Sequence, residues 1–193
     1  MKSTHLLIAL GLGLGMANTT TAQSVKVEAR KVTAADEVLS RQVGKWNTTV
    51  TVYGKKGGEE KVYKSVSSSR LGCGGRCLIW ELKSEIAEGQ PYHGHGIEVF
   101  DPVAKKYKGT WTDATATGFT TSEYSYDTEK NTFAGTFQST NRKGIATKMT
   151  MTGEFQNPKE RIMTMWGAGP ANVRVPVIRC AMVQFSDQGD PAP

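Results

Sequence analysis

The residues best suited to chemistry lie in one stretch of the sequence, residues 89–113. The stretch predicts two antiparallel strands joined by a short turn, and side chains alternate between the two faces of a strand. With the turn closed by residues 102–104, His93 lies opposite Asp113 and His95 opposite Trp111 on the inner face. An imidazole beside a carboxylate can act as a general base, because the carboxylate fixes the tautomer and raises the pKa.

The strand before this hairpin is predicted to extend the same inner face. A two-residue turn at Glu88-Gly89 would place Trp80 opposite Ile97, and Arg70 would face Trp80 from the strand before it. The predicted cluster is therefore Arg70, Trp80, His93, His95, Trp111 and Asp113. Three roles stay open for it: a hydrogen-bonded polar layer at a barrel mouth, a site that orients a ligand, or a metal or catalytic site. A zinc site would need more ligands than two histidines and one aspartate, and nothing else supports a haem.

Four methionines form a second candidate group. Met149, Met151, Met163 and Met165 alternate along two consecutive strands. A turn at residues 156–159 would place Met151 opposite Met163 and Met149 opposite Met165. Four thioethers on one face could hold Cu(I), which soft sulfur selects. The alternative is an adaptable apolar lining that suits a flexible ligand.

The chain has three cysteines. Cys73 and Cys77 flank Gly74-Gly75-Arg76, which predicts a three-residue turn with the two cysteines directly opposite each other. A disulfide between them is the expectation in an oxidising compartment. Cys180 lies among apolar residues of a strand, where a free thiol behaves as a small apolar side chain.

The first 22 residues have the pattern of a secretory signal peptide. Lys2 precedes an apolar run over residues 6–16, and small residues lead to a predicted cleavage site after Ala22. The apolar run is shorter than the about 20 residues that a membrane span requires. The sequence therefore predicts a periplasmic or secreted protein that does not span a membrane.

One helix and about ten strands are predicted after that segment. Residues 23–43 form a lead-in with a short helix over residues 33–43, capped by Thr33. Residues 44–186 alternate between strand-forming runs and turn signals, with no second helix between them. This pattern predicts a single antiparallel up-and-down barrel, which leaves no exposed sheet edge. A two-sheet sandwich is the alternative, and residues 187–193 are predicted to be a disordered tail.

The net charge of +6 comes from scattered lysines. A nucleic-acid-binding protein would concentrate its basic residues in a stripe with interleaved aromatic residues. No nucleic-acid partner is predicted.

Several motifs resemble those of the domain-of-unknown-function family 1579, a family of exported bacterial proteins. They are Leu39-x4-Gly44-x-Trp46, Arg70-Leu-Gly-x-Gly-Gly-Arg76, Gly94-x-Gly96, Phe100-Asp101, Lys106-Tyr-x-Gly-Thr-Trp-x-Asp113, and Gly135-Thr-Phe137. The resemblance extends over residues 35–186. It implies a calycin-like, lipocalin-like barrel whose interior can take a small ligand. It implies no catalytic residues, and the paired cysteines and the histidines are departures from the family pattern.

Together these features predict an exported β-barrel that binds a small, partly apolar ligand in its interior, with no cofactor. Arg70, the two inner tryptophans, the histidine–aspartate pair and the methionines are the predicted ligand-binding residues. One alternative is an enzyme that uses His93 and Asp113 for acid–base chemistry. Another is a filled barrel that acts through its surface in the cell envelope.

Overall fold

The computed structural model describes residues 31–54, 61–86, 90–116, 118–140, 144–169 and 173–185. Within them lie one helix and ten strands. They are α1 (Ala34–Ser40), β1 (Gly44–Val52), β2 (Lys61–Gly72), β3 (Cys77–Ile86), β4 (Gln90–Asp101), β5 (Lys106–Asp113), β6 (Thr120–Asp127), β7 (Thr132–Thr140), β8 (Ala146–Asn157), β9 (Glu160–Ala168) and β10 (Arg174–Phe185). The predicted signal peptide, residues 23–30 of the lead-in segment and the predicted tail lie outside the described residues.

The ten strands form one closed antiparallel barrel. Each strand pairs with its neighbours in the chain, and β1 pairs with β10 to close the sheet. At this seam Val50 lies opposite Cys180 and Lys45 lies opposite Phe185. The predicted up-and-down barrel with one short helix is therefore confirmed. No helix of the described part of the chain is long and apolar enough to cross a membrane.

Helix α1 covers one end of the barrel. It begins after Thr33, whose backbone N–H and hydroxyl both donate to Asp36 Oδ2 at 2.8 Å, so the first turn is capped. Leu39 of the helix is fully buried, and α1 contacts β2, β3 and β4. Just after the helix, the indole Nε1 of Trp46 donates to the carbonyl of Gln42 at 3.2 Å. The covered end of the barrel is thus closed by buried side chains of α1 and β1.

The predicted face of β4 is wrong. The turn between β4 and β5 has four residues, 102–105, and Lys105 adopts a positive φ of 53° in it. Asp101 therefore pairs with Lys106, and Gly94 rather than His93 lies opposite Asp113. A change of one residue in turn length exchanges the two faces of a strand, so the histidines point outward.

The turn between β3 and β4 shifts the register in the same way. Ile86 pairs with Gln90, so Trp80 lies opposite Gly96 and not opposite Ile97. Both turns move β4 by one residue relative to its neighbours, so β4 exchanges its faces while β3 and β5 keep the faces predicted for them. Trp80 and Trp111 consequently still share the inner face, as predicted.

The predicted disulfide is absent, and Cys73 and Cys77 are free thiols. Cys77 pairs with Gly72, so the turn has four residues, and Cys73 lies inside it with a positive φ of 52°. The two cysteines are therefore not an opposed pair. Their sulfur atoms lie 2.9 Å apart, a thiol–thiol contact rather than a bond of about 2.05 Å. Cys180 is also free and is buried.

A candidate binding site inside the barrel

The barrel encloses a cavity of about 560 Å³. Residues from all ten strands line it, and Val38 of the helix contributes at the covered end. Side chains point alternately into and out of the barrel along every strand. Small inward side chains on some strands therefore leave part of the barrel interior unfilled. Strand β2 supplies two of them, Ser65 and Ser67. The volume lies within the range of about 300–1,000 Å³ that is typical of small-molecule sites.

The four methionines all line this cavity, as predicted. Their pairing differs from the prediction, because Met151 lies opposite Met165 and Gly153 lies opposite Met163. Strand β9 is displaced by two residues from the predicted register, which leaves the face unchanged. We call this group, together with Phe137 of β7, the methionine wall. It offers an apolar and deformable surface to a ligand.

Two tryptophans lie on the other side of the barrel and also line the cavity. The indole of Trp111 lies across the backbone of β4, where a Cβ atom on Gly94 would come within 2.0 Å of Cζ2. A Cβ on Gly96 would come within 2.9 Å of Cε3 of the same ring. Glycine is therefore required on the inner face of β4, because the ring occupies the space of the missing side chains.

The covered end of the cavity carries charge. We call this end the floor; it is formed by Trp80, Glu98, Tyr124 and Arg161, which line the cavity, and by Trp46, which contacts Arg161. The Arg161 guanidinium carbon lies 4.2 Å from the ring centroid of Trp80 and 5.1 Å from that of Trp46. The hydroxyl of Tyr124 donates to Glu98 Oε2 at 3.0 Å. The floor thus combines two aromatic faces with a buried cation and a carboxyl group.

Burial shifts both charged groups of the floor toward their neutral forms. It raises the pKa of Glu98, although the charge of Arg161 and hydrogen bonds from Tyr124 and Trp80 act in the opposite direction. Burial lowers the pKa of Arg161 to about 10, against the attraction of Glu98. At neutral pH the arginine therefore keeps its charge, while the protonated form of Glu98 is favoured relative to an exposed glutamate.

Sequence reasoning missed the three polar members of the floor. Glu98 follows Gly94 and Gly96 with a period of two, and Arg161 precedes Met163 and Met165 in the same way. Alternation places Arg161 on the face of the methionines and Glu98 on the face of the two glycines. Charged side chains are almost never fully buried, and the predicted register instead turns Ile97 inward; Ile97 is 39% exposed.

Asp113 lies at the opposite end of the cavity, where β5 ends. Its carboxylate accepts hydrogen bonds from the Thr115 backbone N–H at 2.8 Å, the Thr115 hydroxyl at 2.7 Å and the Trp111 indole at 3.2 Å. Partial burial disfavours its ionised form, but these bonds and one from Tyr92 outweigh burial and lower the pKa of Asp113. The carboxylate is held by structural hydrogen bonds and orients the Trp111 ring.

Three predicted site residues lie outside the barrel. His93 and His95 are exposed on the outer face of β4, opposite Lys83 and Glu81 of β3. Arg70 is exposed on β2 and pairs with Ile79 rather than facing Trp80. The structure therefore does not bring His93 to Asp113, and the predicted acid–base pair is not formed. Among the described residues, no three His, Cys, Asp or Glu side chains are grouped as metal ligands would be.

Among the described residues, one buried side-chain polar atom has no hydrogen bond, and it belongs to the cavity lining. The Oγ atom of Ser65 is buried and lacks a partner, whereas the neighbouring Ser67 Oγ is 2.8 Å from Thr48 Oγ1. A buried hydroxyl without a partner costs about 1–3 kcal/mol. Ser65 can therefore provide a hydrogen bond to a polar group inside the cavity.

The comparisons with known proteins agree with this fold. A family model described as protein of unknown function (DUF1579) matches residues 31–182. The crystal structure of Rv2717c from M. tuberculosis is similar to this chain with a TM-score of 0.58 and 11% sequence identity. The alignment covers 81% of this chain and 100% of that one. At such low identity the likeness shows the fold alone. No curated protein matches the chain.

Proposed function

This chain belongs to the family of proteins of unknown function DUF1579, and we propose that its barrel binds a small, partly apolar ligand in the interior cavity. The family match confirms the resemblance drawn from the sequence motifs. Since the family brings no chemistry with it, the proposal is argued from the cavity itself.

The observation that carries the proposal is an apolar-walled cavity with a few polar groups in fixed positions. The methionine wall and the two tryptophans supply apolar surface, while the floor and Ser65 supply hydrogen-bonding groups. This division is typical of small-molecule sites, where apolar contact gives affinity and a few polar atoms give orientation. A filled barrel that acts through its surface is less well supported, because side chains leave about 560 Å³ of the interior open.

Export belongs to the same proposal. The amino-terminal pattern of residues 1–22 is that of a cleaved signal peptide, so the mature protein would begin at Gln23 and carry its ligand outside the cytoplasm. Native mass spectrometry of the protein purified from its own host tests both the cleavage of the signal peptide and the binding of a ligand. The expected mass is that of residues 23–193 plus one retained small molecule, which denaturation releases.

A fluorescence titration tests the cavity directly. The neutral probe N-phenyl-1-naphthylamine should bind the wild-type protein with increased fluorescence. We expect Trp111→Ala to weaken its binding about tenfold, because the ring supplies apolar contact and aromatic packing to the wall.

Trp166→Ala is the matched control. The Trp166 indole donates to Thr152 at 2.8 Å and packs against Arg174, and it does not line the cavity. Its loss should leave probe affinity unchanged. The proposal is wrong if the wild type takes up no probe, or if both tryptophan variants lose the same affinity.

A further inference from the structure

We propose that the floor of the cavity is a headgroup site for an aliphatic monocarboxylic acid, with the carboxylate on the Arg161 guanidinium and the chain against the methionine wall. This inference rests on the proposed function, because it assigns the chemical class of the ligand to the same cavity. It is argued from the hydrogen bonds and charges around Arg161.

Arg161 has donor capacity that the protein does not use. Its side chain is only 6% exposed; its Nε donates to Met182 Sδ at 3.0 Å, and its Nη1 donates to Gln42 Oε1. A guanidinium carries five N–H donors, and a thioether is a weak acceptor. The floor therefore holds a donor-rich cation whose partners are a sulfur atom and a neutral amide.

The positive charge of Arg161 also lacks a carboxylate in contact. None of the ion pairs within 4.0 Å between described residues involves Arg161. Glu98 is the acidic group of the floor, but Tyr124 occupies one of its oxygens and burial favours its protonated form. A buried charge without a partner is strongly unfavourable. A ligand carboxylate would supply the missing charge, and it can accept two parallel hydrogen bonds from an arginine.

The lining argues for a single negative charge on a long apolar body. Among the described residues that line the cavity, Arg161 is the one basic side chain. A dianionic phosphate would bring a second charge without a second cation, and an amine would be repelled by the guanidinium. Beyond the floor, the surface is formed by thioethers and aromatic rings, which suit a chain of methylene groups.

The experiment compares three ligands of equal length as competitors of N-phenyl-1-naphthylamine. Octanoate, 1-octanol and octylamine share one chain and differ in the headgroup. For the wild-type protein at pH 7, we expect octanoate to displace the probe at a concentration at least tenfold lower than 1-octanol, with octylamine weakest. Arg161→Met removes the charge at nearly constant length, so octanoate and octanol should then compete equally.

Arg179→Met is the matched control, because Arg179 adjoins the cavity residue Cys180 on β10 but does not line the cavity. It should keep the octanoate preference. Glu98→Gln removes the carboxyl group of the floor at constant shape, and it should keep or increase that preference. This variant and the wild-type ranking still decide the question if Arg161→Met does not fold.

The outcomes separate the two proposals. If the probe binds but octanol competes as well as octanoate, the headgroup assignment is wrong and the cavity still binds apolar ligands. A loss of acid preference in Glu98→Gln, or its retention in a folded Arg161→Met, would also overturn the assignment. Absence of probe binding in the wild type contradicts the proposed function itself.

Discussion

At the scale of single residues, the tightest constraint in the cavity is the contact of Trp111 with the glycines of β4. The ring is held from both sides, because its Nε1 donates to Asp113 and its face lies on the backbone at Gly94 and Gly96. An indole fixed in this way presents a constant surface to the cavity. The shape of the site therefore depends on two residues that have no side chain.

Gly94→Ala tests this arrangement. The new Cβ would lie 2.0 Å from Cζ2 of Trp111, so the ring must move into the cavity and break its bond to Asp113. Overpacking of this kind costs about 1–3 kcal/mol of unfolding free energy, and we expect that loss in urea denaturation, together with weaker probe binding. Gly118→Ala is the control, since nothing lies within 4 Å of its added Cβ, and its unfolding free energy should change by less than about 0.5 kcal/mol. Equal effects of the two substitutions would contradict the packing described for Trp111.

At the scale of elements, the strands were predictable and one strand face was not. Runs of β-branched and aromatic residues located all ten strands, and period-two alternation correctly placed Trp80, Trp111 and the methionines inside. The face of β4 depended on turn lengths, and the two turns around it each differ by one residue from those predicted. Alternation fixes which residues share a face, but a turn decides which face that is.

The polar members of the site show a different limit. A charge inside a barrel contradicts the general preference for exposed charges. Arg161 could be assigned to the interior through alternation with Met163 and Met165, whereas Glu98 could be assigned there only with the correct turn lengths around β4. Their partnership with Tyr124 and Gln42 joins distant parts of the chain. Contacts of that kind form only when the barrel closes, and the sequence pattern of a single strand gives no information about which distant residues then meet.

The turn that sets the β4 face is stabilised by Asp101. Its carboxylate accepts hydrogen bonds from Lys108 Nζ at 2.8 Å and from the backbone N–H groups of Val103 and Ala104 at 2.9 and 3.0 Å. The Lys108 bond, followed by those two, lowers the pKa of Asp101 to about 2 from its ordinary 3.8. A depressed pKa in the folded state means that the ionised carboxylate stabilises the fold above about pH 4, and that this contribution disappears as the pH falls toward 2.

Asp101→Asn should therefore make the protein less stable than the wild type at pH 7, and the difference should shrink between about pH 4 and pH 2. Thermal unfolding of both proteins across that pH interval measures it. A difference that stays constant down to pH 2 would show that the charge of Asp101 does not stabilise the turn.

At the scale of the whole molecule, the pairing of β1 with β10 closes the ten-stranded sheet into a barrel with an interior cavity. The seam runs over eight residue pairs, from Lys45 opposite Phe185 to Val52 opposite Ile178. It brings together the first and last strands, so its pairs are the most distant in sequence and carry a high loop-closure cost. Without it, the sheet would have two long edges and no enclosed cavity.

Val50→Cys tests the seam, because Val50 lies opposite the native Cys180. The introduced thiol should form a disulfide with Cys180 and raise the unfolding free energy by about 2–4 kcal/mol, an increase that reduction removes. Burial raises the pKa of the Cys180 thiol to about 11, so the bond should be formed during refolding with oxidised glutathione. The double variant Val50→Cys, Cys180→Ala should show no such increase. Peptide mapping that links the introduced thiol to Cys73 or Cys77 would contradict the described closure.

The same seam makes the order of the strands around the barrel independent of where the chain begins. Phe185 ends β10 beside Lys45 near the start of β1, and α1 precedes β1 in the chain. A linker from Phe185 to Thr33, just before α1, would therefore turn the helix and the barrel into a ring. That ring could then be opened at another exposed turn, such as residues 114–116 where β5 ends, without the loss of any strand pair. By its topology the barrel is a candidate for circular permutation, and new termini could be placed away from the covered end of the cavity.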